Sequence, residues 1–140
     1  MLTRGPRGDR GSASLELAFV APVLLLVVFV GVQAGLWAYG RSVALQSARE
    51  GVSQLRLLSD AQSVEAARPL VSAHVVQFAT TVGRESLLRP AVTSRSLVDA
   101  TGEPRVEVTV TGSVISLVPG LHLTTTRRAT GAVEHFGADR

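Results

Sequence analysis

Hydrophobic positions follow three regimes along the chain. From Leu17 to Gly40 no side chain is charged, and Gln33 is the only strongly polar one. The run exceeds the ~18 apolar residues that read as a membrane span, and at ~1.5 Å rise per residue a helix over it covers the ~30 Å hydrocarbon core. One acid, Glu16, stands at its entrance. Beyond Gly40, Leu45, Ala48, Val52 and Leu55 recur at spacings of three and four while Arg41, Arg49, Glu50 and Arg56 supply polar positions, so the helix is predicted to continue over residues 41–58. Packing against the chain's own soluble domain is the simplest cover for that stripe. Gly51 weakens the helix locally, by ~1 kcal/mol relative to Ala.

A second helix is predicted over 59–83. Ser59 followed by Gln62 fits a capping box, and Val64, Ala67, Val71, Val75, Phe78 and Val82 keep the three-or-four spacing up to Gly83. Pro69 falls in its middle, so either the helix kinks there or two short helices share one face. The period then changes to two. Residues 91–98 are weakly strand-like, and Arg105 to Thr111 alternates, with Val106, Val108 and Val110 on one face and Glu107, Thr109 and Thr111 on the other. Thr101-Gly102-Glu103-Pro104 and Pro119-Gly120 are turn signals, Gly112 is a candidate bulge, and Leu121 to Phe136 supplies a final strand or two. Helix, helix, then antiparallel strands over 91–136 predict an α+β domain whose helices cover one sheet face.

Length and charge narrow the picture. With about thirty of 140 residues committed to a span, one small soluble domain, 41–140, is all the remainder builds. The net charge of +3 comes from Arg alone, scattered and with few aromatics between, so no basic stripe or stacking platform for nucleic acid exists. Cysteine is absent, which excludes disulfides and thiolate zinc sites. No phosphate loop, nucleophile elbow, dinucleotide fingerprint or His-Glu-x-x-His helix is present. His74, His122 and His135 lack metal-ligand spacing, and Glu107 and Glu134 read as solvated strand charges. We expect no enzyme, no cofactor, no metal, no nucleic-acid partner and no small-molecule substrate.

The first eleven residues, MLTRGPRGDRG, form a short basic leader, too polar and broken to pack. Arg4, Arg7 and Arg10 before the span are matched by Arg41, Arg49 and Arg56 after it, so charge alone leaves the topology open. Three readings compete. Val32-Gln33-Ala34 is a candidate signal-peptidase site that would release a secreted domain starting at Gly35. Alternatively, the run is an uncleaved signal anchor for an extracytoplasmic binding module. The third rests on Gly11 followed five positions later by Glu16 at the head of the apolar helix, which resembles the processing site of type IV-like prepilins.

That resemblance implies cleavage after Gly11 by a membrane prepilin peptidase, leaving Ser12 as the new N-terminus and Glu16 as the fifth mature residue. It also implies pairing of Glu16 with the free amine of Ser12, its own or a neighbour's. More narrowly, Leu15-Glu16-Leu17-Ala18, Pro22 within the apolar run and Ala48-Arg49-Glu50-Gly51 make residues 11–52 look like the TadE-like proteins, minor pilin or pseudopilin components of tight-adherence pilus systems. Major pilins of those systems commonly carry Tyr after the acid and are far shorter; Leu17 and the large downstream domain fit a minor component. The implied partners are the membrane, the prepilin peptidase, other pilin-like subunits and the pilus assembly platform. Implied too is a single-pass protein of the cytoplasmic membrane, N-terminus inside and 41–140 outside. Pro22 is a candidate helix kink, and Gly31 and Gly35 a small-residue pair where another helix can approach. Removing residues 1–11 takes three Arg and one Asp and leaves a net charge of +1.

Overall fold

The computed structural model describes residues 10–58 and 61–133. The leader 1–9, Ser59 with its capping box, Glu134, His135 and Phe136 lie outside the described residues. The order is α1 (Arg10–Arg56), α2 (Ala61–Gly83), β1 (Leu87–Val98), β2 (Pro104–Val114) and β3 (Leu123–Ala132). The strands form one antiparallel sheet in the order β1-β2-β3. The expected α+β plan of long apolar helix, second helix and small antiparallel sheet is what the chain adopts.

The chain divides into two compact units that meet between Ala34 and Gly35. In the first, α1 is a bare helix: every large apolar side chain from Leu15 to Val32 is exposed, Phe19 by 74%. An 18-residue window of this helix has a mean hydropathy of 2.7 and none of it is buried. A core helix of a water-soluble domain would be covered by its own chain, whereas this one is long and apolar enough to cross a membrane.

In the second unit the same helix is amphipathic. Val43, Ala44, Ser47, Ala48, Val52 and Leu55 are buried, a stripe that keeps the predicted Ala48, Val52 and Leu55, while Leu45, expected to head it, is only half-buried beside Val43, Ala44 and Ser47, which take its place. Val64, Val75 and Ala79 of α2 join it, and Val106, Val108, Val110 and Val114 supply the sheet's inner face, as the alternation predicts. Burying such side chains contributes about 1.5–3 kcal/mol each. Gly51 does not end the helix, which runs on to Arg56. Its absent side chain is what the packing uses: a Cβ there would lie 2.9 Å from Val75 Cγ2 and 3.1 Å from Val108 Cγ1. On β3, a Cβ at Gly131 would lie 2.6 Å from Val52 Cγ1. Small residues thus let the helix backbone approach the sheet, and the buried contacts offset the propensity loss.

The irregularity expected at Gly112 is present, with the extra residue on the partner strand: Arg89 and Pro90 of β1 stand against Gly112 alone, between the pairs Leu88–Ser113 and Ala91–Thr111, while the β2–β3 register runs unbroken through it. Gly112 also makes room for Leu87, whose Cδ1 would lie 2.6 Å from a Cβ there. The strand also begins at Leu87, before the expected Ala91. Pro90, which has no N–H to give a ladder, falls within the irregularity, and Arg89 there takes a positive φ of 49°. α2 is a single helix through Pro69.

The β1–β2 turn is organised by Asp99. One carboxylate oxygen accepts from the Thr101 hydroxyl, the Thr101 amide at 2.8 Å and the Glu103 amide at 3.0 Å, and the other from Arg105 Nε at 3.0 Å. The Thr101 hydroxyl first, then the Glu103 amide, hold this half-buried carboxyl well below the usual range.

Gly51→Ala tests the close approach directly. The helix gains ~1 kcal/mol of intrinsic propensity, but overpacking against Val75 and Val108 costs about 1–3 kcal/mol, so thermal unfolding in detergent should show a lower midpoint. A raised midpoint would contradict the packing. Because Asp99 has a folded pKa below its unfolded one, its contribution is complete above about pH 4 and fades as pH falls through the lowered value. The stability difference between wild type and Asp99→Asn should therefore be largest near neutrality and shrink in acid, read by denaturant midpoints across that range.

Candidate functional site

Two surfaces carry the candidate chemistry. The first is the head of α1. Its backbone is helical from Arg10, so Gly11, Ser12 and Glu16 lie on one continuous helix, with positions 12 and 16 one turn apart on the same side. Glu16 is exposed between the exposed Leu15 and Leu17. Pro22 lies within the helix without ending it. Gly31, in the first unit, would present a Cβ to open space, with nothing within 4 Å, and the same holds for Gly35 in the second. The fold itself therefore does not require glycine at either position.

The second surface is the sheet face turned away from the helices. Glu107 on β2 is opposite Arg95 on β1 and Thr130 on β3, with Arg128 one step along the same face. Arg95 Nε and Nη2 donate to Glu107 Oε1 at 2.8 and 2.7 Å, and Arg128 Nη1 stands 3.9 Å from Oε2. The Glu107 side chain is only 8% exposed. It is therefore not the solvated charge expected from the alternation; two guanidiniums from neighbouring strands cover it. Thr93, Thr109 and these three charged residues line a hollow of about 240 Å³, and Thr111 and Thr126 share a hydroxyl contact of 3.0 Å alongside.

Chemically this second surface is a cross-strand ion ladder. It holds a carboxylate between cations and hydroxyls and offers no activated nucleophile. His74 is largely exposed, 3.9 Å from Glu50, and His122 is exposed at the end of a loop. Among the described residues no group of three or more His, Cys, Asp or Glu is placed to hold a metal ion.

Of these surfaces, one is shared with known proteins. Residues 11–53 match the TadE-like protein family. No curated protein and no solved structure matches the chain. The TadE-like segment coincides almost entirely with α1, from its second residue to three residues before its end. It takes in the bare apolar half and the packed half as one unit of sequence. The open sheet face lies outside it.

Sequence reasoning singled out Gly11, Ser12 and Glu16 at the head of the helix and read Glu107 as a solvated charge, because the partners of Glu107 are set by strand register rather than by spacing. Glu107→Gln should lower stability by about 1–2 kcal/mol, between an exposed and a fully buried ion pair, with the loss shrinking at high salt. An unchanged unfolding midpoint would mean that the ladder is ornamental to stability.

Proposed function

We propose that this protein is a non-catalytic minor pilin or pilus assembly subunit of a tight-adherence, type IV-like pilus. The observation that carries the reading is that the TadE-like match falls on a helix whose first half has no cover in its own chain. A helix so apolar requires lipid or other helices around it. Before maturation, the basic leader of residues 1–11 stays in the cytoplasm, 12–40 spans the membrane and 41–140 stands outside. A prepilin peptidase then cleaves after Gly11. The Ser12 amine is exposed, and Glu16, one helical turn on, is placed to accept it within the chain or from a neighbouring subunit.

In the mature form the apolar helix moves from lipid into a bundle of pilin-like helices or into the assembly base. The barrier to such a transfer is low, because lipid tails and packed apolar helices are similar surroundings and association rests on close packing and polar pairs. Gly31 and Gly35 offer the close approach, Pro22 a point of bending, and Glu16 the polar pair. The α+β unit is the part displayed outward.

The N-terminus of protein recovered from its native cells tests the reading. Intact mass and N-terminal peptide mapping should give a start at Ser12, lost when the prepilin peptidase is absent. A start at Gly35 identifies a secreted domain, and an intact leader identifies a signal anchor; either overturns the proposal. Glu16→Ala should leave membrane insertion intact and remove about 1.5–3 kcal/mol of a charge-assisted pair, a roughly 10- to 150-fold loss from the assembled fraction.

A further inference from the structure

The end of the α+β unit beside Gly40 carries an exposed apolar loop. A Cβ at Gly40, where the apolar run ends, would lie 2.7 Å from Val114 Cγ2 and 3.1 Å from the Ser86 carbonyl. Val114 is the last residue of β2, so the β2–β3 loop, residues 115–122, leaves the sheet at the level where the apolar run gives way to Arg41. That loop is apolar and exposed: Leu117, Val118 and Leu121 are 43%, 51% and 43% accessible.

The loop is also ordered. The Leu121 amide donates to the Val118 carbonyl at 3.1 Å, and Pro119 then Gly120 at φ 81° complete a type II turn. The Ser116 hydroxyl donates to the Val118 carbonyl and accepts from its amide, each at 3.1 Å. A turn held this way displays its leucines instead of folding them inward.

Its surroundings match a membrane interface in charge and aromatic content. Trp37 is exposed with the Arg41 guanidinium 4.2 Å over its ring, and the Tyr39 hydroxyl donates to the Val82 carbonyl at 3.3 Å. Trp and Tyr concentrate where acyl chains meet headgroups. Arg41, Arg127 and Arg128 line one cleft with Ala38, Ser42 and Leu45, while Arg84 lies on the α2–β1 turn whose Ser86 abuts Gly40. Such clusters attract anionic headgroups.

We propose that the Leu117–Leu121 turn inserts into the headgroup and upper acyl region of the membrane that α1 crosses, with the Arg-lined cleft beside it facing anionic headgroups. The α+β unit then holds a lipid surface through a contact separate from the span. The inference rests on α1 being membrane-embedded, which its test reads separately.

The chain has no cysteine, so single substitutions carry a spin label without a background. Full-length Leu117→Cys, Val118→Cys and Leu121→Cys are labelled and reconstituted in phosphatidylethanolamine–phosphatidylglycerol vesicles. Collisional accessibility to oxygen and to a water-soluble nickel complex is then compared with Val27→Cys in the apolar run and Thr101→Cys in the far turn. The oxygen-to-nickel ratio at 117 and 121 should exceed that at 101 several-fold and approach that at 27. A ratio equal to that at 101, or protection from both reagents as a protein contact gives, overturns the inference while a lipid-like ratio at 27 leaves the span intact. A water-like ratio at 27 overturns both. Three loop positions and retained far-UV circular dichroism guard against one misfolded variant.

Discussion

The backbone of α1 lies so close to β2 and β3 that side chains larger than hydrogen have no room at Gly40, Gly51 and Gly131. The rest of the α+β unit follows from this contact. A sheet of three strands cannot bury one face by itself, and two helices laid across it need the helix that arrives from the apolar run to lie near enough for Val52 and Leu55 to reach the sheet's valines. Glycine and alanine on the approaching side set that distance. Once it is set, Val106, Val108 and Val110 become inaccessible and α2 closes the remainder of the core through Val64, Val75 and Ala79.

One helix therefore meets two different solvents. In its second half, apolar residues are restricted to a stripe because one side faces the sheet and the other faces water. In its first half they surround the axis, because no part of the described chain covers them. The transition is abrupt in sequence, from an uncharged run ending at Gly40 to Arg41 and the polar positions that follow. It is this change of surroundings that the TadE-like match spans, and the proposed assembly role rests on it.

Much of the fold was legible because its signals are local. The apolar run, the stripe from Leu45 to Leu55, the spacing from Val64 to Val82 and the alternation around Val108 each state a period, and each period became the element it implies. What escaped depends on contacts distant in sequence. Gly51 read alone signals a weakened helix, and Gly112 a bulge without saying that the extra residue is on β1; the close packing of each is visible only beside Val108 and Leu87. Pro90 concealed the first residues of β1, since a proline is admissible there because the strand lies at the sheet edge and its register shifts at that point. Glu107 read as solvated for the same reason: nothing in its neighbourhood of sequence names Arg95 and Arg128 as its cover. At the head of α1, Gly11 and Glu16 were legible only as a resemblance to a processing site, and the structure adds that positions 12 and 16 lie one helical turn apart.

The central claim is that the uncovered half of α1 is an assembly surface. In-cell photo-cross-linking from a benzoylphenylalanine placed at Phe19, 74% exposed in the isolated chain, tests it most directly. The account predicts covalent adducts with other pilin-like subunits that disappear when the pilus assembly ATPase is deleted. Adducts with lipid alone in cells that assemble pili, or protein adducts indifferent to the ATPase, would contradict it.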